Sequence, residues 1–143
     1  MANPRAFISF DFTNDERWRN LFVGQGKLPD TPWEIADWSS KEALAQSKWE
    51  GIIKDKINKC NMVIVLVGRY MASASGVAKE IKMAKEQDVP VFGVYVDHAN
   101  TQSNLPEGLA RNRTIDWTWP GVAGAVDQMM KEGKNAQKRV RWF

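Results

Sequence analysis

Continuous apolar runs alternate along this chain with segments in which apolar residues recur every three or four positions. The clearest run, residues 62–67, is apolar throughout and predicts a central β-strand that is buried on both faces. The clearest periodic segment, residues 48–59, brings Trp49 and the isoleucines that follow it onto one side and therefore predicts an amphipathic helix. The helical spacing of apolar residues therefore ends at residue 59, and the continuous apolar run of a strand begins at residue 62.

The same patterns predict further strands and helices along the whole chain. Helices are expected at residues 16–23, 77–87 and 120–131, the last with Pro120 in its first turn. The remaining strands are expected at residues 5–10, 33–38, 91–96 and 114–117. Strands that alternate with helices form parallel βαβ units, and right-handed crossovers favour a flavodoxin-like order. We therefore predict an α/β, flavodoxin-like three-layer sandwich with a five-stranded parallel sheet in the order 2-1-3-4-5.

A ligand site is expected at the carboxyl ends of the first and third strands, where the strand order reverses. The polar stretches after these strands are residues 11–15 and 68–76, and we expect them to meet there. The second stretch opens a helix that carries a carboxylate, Glu80, in its first two turns. Glu80 lies about 60° from the centre of the apolar side of that helix, so we expect it to border the core without being buried.

Length and composition indicate one globular domain. The chain has 143 residues and a net charge of +3, and much of the basic excess lies in a tail. We assign residues 1–133 to the folded domain and residues 134–143 to this basic C-terminal tail. Without the tail the chain is nearly neutral, so nucleic acid is not expected as a partner.

The sequence also favours a cytoplasmic location. Cys60 is the single cysteine, which excludes an internal disulfide. The N-terminus has no signal-peptide pattern and runs straight into the first strand. The longest apolar run is far shorter than the roughly 20 residues of a membrane helix, so no membrane partner is expected.

Residues at the expected site argue against two classes of flavodoxin-like protein. A flavodoxin needs a loop rich in Ser, Thr and Gly after its first strand, whereas this chain has Asp11 and Asp15, which repel phosphate. A response-regulator receiver needs an aspartate at the end of its third strand, where this chain has Val67, Gly68 and Arg69. Both classes are therefore excluded.

A third class fits the order and spacing of short motifs that span residues 5 to about 130. The motifs are FISFD (7–11), EIADWS (34–39), VIVLVG (63–68), SGVAKEI (75–81) and PVFGVYV (90–96). Together they resemble the TIR-like domains of the bacterial Thoeris anti-phage defence protein ThsB and its relatives, the TIR-like DUF1863 family.

This resemblance implies an enzyme that consumes NAD+ and makes a cyclic ADP-ribose-type second messenger. In such domains a glutamate on the helix after the third strand is catalytic, and Glu80 matches it. NAD+ would be a substrate and no cofactor is expected, because the chain has neither a P-loop nor a GxGxxG fingerprint. The implied partners are a downstream effector that reads the diffusible nucleotide and further copies of the chain in a homo-oligomeric assembly.

The resemblance leaves one wall of the pocket unassigned. Many TIR domains carry an aromatic residue three or four positions before the glutamate, where this chain has Val77 and Gly76. Aromatic candidates for the wall that faces the nicotinamide are found near the ends of the first three strands: Phe10, Phe12, Trp38 and Tyr70.

Polar residues near the same strand ends are the other predicted substrate contacts. Asp11 is a candidate for binding ribose or the nicotinamide amide, with a turn or cap role as the alternative. Arg69 is a candidate for the pyrophosphate, since arginine binds phosphate through two N–H groups. The remaining candidates are Asp37 and Ser39, which would rim the pocket, and Ser73 and Ser75, which would donate to the ligand unless one of them only caps the helix.

Two other functions remain open from the sequence. A TIR-like interaction module without catalysis would not need Glu80 and would rely on a partner or homotypic surface. A nucleoside deoxyribosyltransferase-like hydrolase also uses a glutamate at a ribose, and would turn over nucleosides or nucleotides in place of NAD+. No cluster with metal-ligand spacing is visible in the sequence, and no metal is expected.

Overall fold

A computed structural model describes residues 4–26, 34–38, 46–69, 71 and 75–133. For residues 12–14, 16, 25–26, 34–38 and 46–48 it describes the backbone alone. The predictions for Ser39, Tyr70, Ser73 and the tail at 134–143 lie outside the described residues, and those for Phe12, Asp37 and Trp38 concern side chains that lie outside them.

The described elements alternate between strand and helix, as the sequence pattern predicts. The strands are β1 (Arg5–Ser9), β2 (Glu34–Trp38), β3 (Met62–Val67), β4 (Val91–Tyr95) and β5 (Thr114–Asp116). The helices are α1 (Phe12–Gly26), α2 (Gln46–Asn58), α3 (Ser75–Glu86) and α4 (Trp119–Glu132), and a 3₁₀ turn at Arg111–Arg113 leads into β5. None of the described helices is both long and apolar enough to cross a membrane.

The strands form one parallel sheet in the order β2-β1-β3-β4-β5. The prediction of an α/β fold with a parallel sheet is therefore confirmed. Strand β3 lies between β1 and β4, and all of its residues are buried. This burial on both faces explains why the strand is apolar throughout, since no position along it meets solvent.

Two hydrophobic clusters cover the two faces of the sheet. On one face, Trp49, Ile53 and Ile57 of α2 and residues of α3 pack on alternate strand residues such as Phe7. On the other face, α1 and α4 pack on the residues between them, such as Ile8. Successive strand residues point to opposite faces, so Ser9 shares the α2–α3 face with Phe7.

Helix α1 begins earlier than the sequence pattern indicates. The predicted helix start at residue 16 is wrong, because the Asp15 N–H donates to the Asp11 carbonyl at 2.7 Å and α1 already starts at Phe12. Asp15 thus lies in the first turn of α1, on the same side as Phe22, which is seven residues further on and buried. A carboxylate is consequently brought into the interior at the end of β1.

Helix α4 begins with a cap and a proline. The Thr118 hydroxyl accepts a hydrogen bond from the Gly121 N–H at 3.2 Å, and Pro120 lies in the first turn. This arrangement satisfies one of the free N–H groups at the helix start and places the proline where its missing donor costs nothing. The predicted proline start of the last helix is confirmed.

We predict that Gly93→Ala destabilises the protein by about 1–3 kcal/mol, because β4 and the start of β5 approach too closely to admit a methyl group. A Cβ on Gly93 would lie 2.8 Å from Leu109 Cδ2 and 3.1 Å from the Thr114 side chain. Urea unfolding measures the loss. The control is Gly124→Ala in α4, where a Cβ would have no neighbour within 4 Å; it should stabilise by about 0.5–1 kcal/mol. Equal effects of the two changes would contradict the prediction.

Candidate functional site

Two carboxyl groups are buried near the carboxyl ends of β1 and β3, and they come from opposite faces of the sheet. Glu80 projects from α3 and is 1% exposed, while Asp15 projects from α1 and is 0% exposed. A buried carboxyl group is costly unless it is hydrogen-bonded or protonated. The two carboxyl groups differ in the interactions that offset the free-energy cost of their burial.

Glu80 is held by a hydroxyl at the end of β1. The Ser9 hydroxyl donates a hydrogen bond of 2.6 Å to Glu80 Oε1, and Ser9 itself is fully buried. The expectation that Glu80 borders the core without being buried is wrong. Its polar partner lies inside the core, so the carboxyl group is drawn inward between α3 and β1 instead of turning outward from the helix.

Asp15 has no comparable partner among the described residues. Neither of its carboxyl oxygens has a hydrogen-bond partner there, and both lie against the backbone of Gly68, the first residue after β3. A Cβ on Gly68 would lie 2.3–2.6 Å from the Asp15 carboxyl group. This contact brings the ends of β1 and β3 together, as expected for the point where the strand order reverses.

The environment of Asp15 favours its protonated form. Burial first, and then the negative charges of Asp11 and Asp97, raise the pKa of Asp15 from 3.8 to about 7, against the lowering effect of Arg69. The charged groups of three neighbouring strand ends therefore converge on this one carboxyl group.

Arg69 is paired with Asp97 at the edge of this cluster. Its Nε and Nη2 atoms lie 3.0 and 3.3 Å from the two oxygens of Asp97, which follows β4. The Arg69 side chain is 54% exposed, so the ion pair opens to solvent on one side. Asp97 and the next residue, His98, both have positive φ values, 53° and 61°. Two successive residues in this uncommon conformation indicate backbone strain at the end of β4.

The other predicted contacts with described side chains lie around this centre. Asp11 is partly buried beside Asp15, and Ser75 is exposed at the first position of α3. Phe10 belongs to the hydrophobic cluster on the α1–α4 face, opposite the face on which Ser9 and Glu80 meet. The guanidinium of Arg19 lies 5.5 Å from the centre of the Phe10 ring. The roles given to these residues by the sequence analysis stay predictions.

The sequence analysis did not predict that Ser9 hydrogen-bonds Glu80 or that Asp15 is buried against Gly68. Ser9 is the last inward-facing position of an otherwise apolar strand, and a hydroxyl at such a position signals a buried polar partner. Asp15 precedes Trp18 and Phe22 by three and seven residues, which is the spacing of one helix side. Extending the helical pattern backwards by one turn would have placed this carboxylate on the buried side.

One cavity in the described part of the chain lies away from these carboxyl groups. Its volume is about 420 Å³, and it opens at the amino end of β4, beside Pro90 and Val91. Two of its charged lining residues, Arg113 and Glu132, bind each other through two hydrogen bonds of 2.9 and 3.0 Å. The cavity is therefore at the end of the sheet opposite to the expected ligand site.

The family of the chain follows from a comparison with family models. The model described as the TIR-like domain of the Thoeris protein ThsB matches residues 7–101, which is more than half of the chain. The chain belongs to this family. The resemblance inferred from the motifs is confirmed, and the match contains Ser9, Asp15, Gly68 and Glu80.

The solved structures that match this chain are distant in sequence. A prokaryotic SEFIR domain shares 15% identity over 91% of this chain and 89% of its own, with a TM-score of 0.49. The TIR domains of the activated Roq1 resistosome, which directly recognizes the pathogen effector XopQ, share 13% identity over 65% of this chain, with a TM-score of 0.44. The match spans 57% of the Roq1 chain. A search of curated proteins found no match.

We predict that Gly68→Ala destabilises the protein by about 1–3 kcal/mol, because the new methyl group would overlap the Asp15 carboxyl group. The three nearest atoms to that methyl group all belong to Asp15. The same change made together with Asp15→Ala should therefore cost much less. Urea unfolding of the wild type, both single variants and the double variant measures this coupling.

Gly76→Ala, where a Cβ has no neighbour within 4 Å, serves as the control. Additive losses would refute the contact.

We also predict that Ser9→Ala destabilises the protein by about 1–3 kcal/mol, because it removes a buried donor from Glu80. Unfolding free energies of Ser9→Ala, Glu80→Gln and the double variant form a cycle that isolates the Ser9–Glu80 interaction. A cycle without coupling would mean that Ser9 affects stability through packing alone.

Proposed function

We propose that this protein is an NAD+ nucleosidase/cyclase of bacterial anti-phage defence, with Glu80 as the catalytic residue. The observation that carries the proposal is the buried Ser9–Glu80 pair at the carboxyl ends of β1 and β3. Parallel α/β sheets bind ligands at such ends, and Glu80 occupies the helix position that carries the catalytic glutamate in TIR-like enzymes. Membership of the Thoeris ThsB family supports the same substrate.

The proposed reaction begins with cleavage of the bond between nicotinamide and ribose. Nicotinamide leaves with the bonding electron pair, and positive charge develops on the ribose carbon. A carboxylate beside the ribose stabilises this charge, as the carboxylates of glycosidases do. The Ser9 hydroxyl fixes one oxygen of Glu80 and so limits the orientations of the carboxyl group.

The second step decides the product. An adenine nitrogen or a ribose hydroxyl of the same molecule attacks the ribose carbon, loses a proton and closes a cyclic ADP-ribose-type ring. Attack by water instead gives linear ADP-ribose. The cyclic product would diffuse through the cytoplasm, where we place the protein, and activate a downstream effector.

Burial of Glu80 adds a condition to this proposal. A carboxyl group that is 1% exposed is not accessible to a nucleotide, so the described conformation is a closed one. We infer that the crevice opens before NAD+ binds. Assembly with further copies of the chain is one event that would supply the free energy for this opening.

The same burial supports a second candidate, a TIR-like interaction module without catalysis. A buried, hydrogen-bonded glutamate also serves as a structural link between α3 and β1. In that case Glu80 would matter for stability only, and no substrate would be turned over.

We predict that the wild type releases nicotinamide from NAD+ and that Glu80→Gln lowers this rate by about 100-fold or more, because the transition state loses its carboxylate. Mass spectrometry follows nicotinamide and the nucleotide product, with and without lysate of phage-infected cells. The matched control is Glu86→Gln, an exposed glutamate on the same helix, which should leave the rate unchanged.

The outcomes separate the candidate functions. A product mass equal to that of ADP-ribose less one water identifies cyclisation. Turnover of nucleosides in a parallel assay, without turnover of NAD+, would identify a deoxyribosyltransferase-like hydrolase. Absence of any turnover from folded, assembled wild type would favour the interaction module.

A further inference from the structure

An aromatic and cationic surface lies where the loop after β4 meets α1. Trp18 of α1 is partly buried against the hydrophobic cluster of the α1–α4 face, and His98, which follows β4, is exposed. The centres of the two rings are 6.4 Å apart, and their planes meet at 78°. The guanidinium of Arg17 lies 5.4 Å from the centre of the Trp18 ring. We call these three residues, Arg17, Trp18 and His98, the Trp18 platform.

The backbone after β4 holds His98 in an uncommon conformation. Asp97 and His98 have positive φ values of 53° and 61°, which residues other than glycine adopt infrequently. Asp97 binds Arg69, which follows β3, while the ring of the next residue meets Trp18 on α1. Backbone strain of this kind is concentrated at ligand sites. The strained pair thus directs consecutive side chains to two neighbouring elements and leaves an imidazole exposed at the carboxyl end of the sheet.

The side chain of Arg17 is available to a ligand. It is exposed, and within the described part of the chain it forms no ion pair or hydrogen bond. Because Arg17 meets solvent, the face of the Trp18 ring that it covers is directed outward. The attraction between a cation and an aromatic ring is weak at an exposed position, so a flat ligand can replace the guanidinium on that ring face.

The neighbouring carboxyl groups leave room for an anion at Arg17. Arg17 follows Asp15 by two positions, which places the two side chains about 200° apart around α1. Asp15 is fully buried and therefore lies on the inner side of the helix. The charge of Asp97 is balanced by its ion pair with Arg69. Neither carboxyl group therefore opposes a phosphate on the outer side of α1.

We propose that the Trp18 platform binds a nucleoside monophosphate unit, with the base stacked on the Trp18 ring beside His98 and the phosphate on the Arg17 guanidinium. Aromatic side chains stack nucleobases whatever their identity, and arginine binds phosphate through two N–H groups. The platform lies at the carboxyl end of the sheet, where parallel α/β folds bind ligands. That this unit is the AMP half of NAD+ rests on the function proposed above.

NMR titration of the protein with AMP, and separately with adenosine, tests both parts of the platform. Trp18→Leu should weaken the binding of both ligands by about tenfold or more, because a base loses its stacking partner. Arg17→Gln should weaken the binding of AMP by about two- to fivefold and leave adenosine unchanged, because only AMP carries the phosphate. Equal loss of AMP and adenosine in Arg17→Gln would overturn the assignment of the phosphate.

Two control variants separate stacking from packing and from general charge. Trp18→Phe keeps an aromatic ring and should bind AMP within about threefold of the wild type. Lys59→Gln removes a cation from an exposed position just after α2, on the other face of the sheet, and should bind AMP like the wild type. The platform is refuted if Trp18→Leu and Trp18→Phe bind AMP equally well.

The wild type keeps the test decisive if Trp18→Leu does not fold. The indole N–H signal of Trp18 and the ring signals of His98 report ligand contact without any substitution. We expect both to shift on addition of AMP and to show magnetisation transfer from the adenine protons. Unchanged signals of both rings at the highest soluble AMP concentration would overturn the proposal.

Nicotinamide release then connects the platform with NAD+. Trp18→Leu should raise the KM for NAD+ by about tenfold with little change in kcat, because the platform would hold the substrate away from the bond that breaks. AMP binding needs no turnover, so the two proposals fail in different ways. AMP binding on the platform without nicotinamide release refutes only the enzyme. Nicotinamide release with an unchanged KM in Trp18→Leu refutes the assignment of the platform to NAD+.

Discussion

The arrangement of this molecule depends on the enclosure of β3 between β1 and β4. Every residue of β3 is buried, and the helices on the two faces pack against its alternating side chains. Because β1 and β3 are adjacent and parallel, their carboxyl ends lie side by side although the strands are far apart in sequence. The chain leaves these ends toward α1 on one face of the sheet and toward α3 on the other, so the early turns of both helices lie near the same strand ends.

Two buried carboxyl groups lie near these strand ends, and they are stabilised in different ways. Glu80 receives a hydrogen bond from Ser9 and is thereby tied to β1. Asp15 is packed against the Gly68 backbone and is stabilised by a proton, which its raised pKa retains to about neutral pH. The first arrangement limits the orientations of the Glu80 carboxyl group, and the second makes the stability of the fold depend on the ionisation of Asp15.

At the amino end of the sheet, a carboxyl group has a cationic partner, in contrast to Asp15. Arg113 donates to the Val91 carbonyl of β4 and makes two hydrogen bonds to Glu132 of α4. The hydrogen bonds from Arg113 to Glu132 hold the pKa of Glu132 below its usual value. That pair stabilises the fold above the ordinary pKa of glutamate, and the stabilisation is lost as the pH falls. Asp15 acts in the other direction, since its stabilisation decreases as the pH rises toward 7. Glu132 is thus held by a cation at the amino end of the sheet, whereas the Asp15 oxygens at the carboxyl end have no hydrogen-bond partner among the described residues.

The sequence by itself determined the order of strands and helices, the apolar centre at residues 62–67 and the family, because periodicity and motif spacing are local properties. It also singled out Glu80 and the switch point at which it lies. Only the tertiary structure decided that Glu80 is buried on Ser9, and that Asp15 belongs to α1 and meets Gly68. These contacts join residues more than fifty positions apart in the chain, and each depends on the pairing of β1 with β3. A local sequence pattern does not specify which distant residues come into contact, so the burial of these two carboxyl groups and the raised pKa of Asp15 follow from tertiary packing.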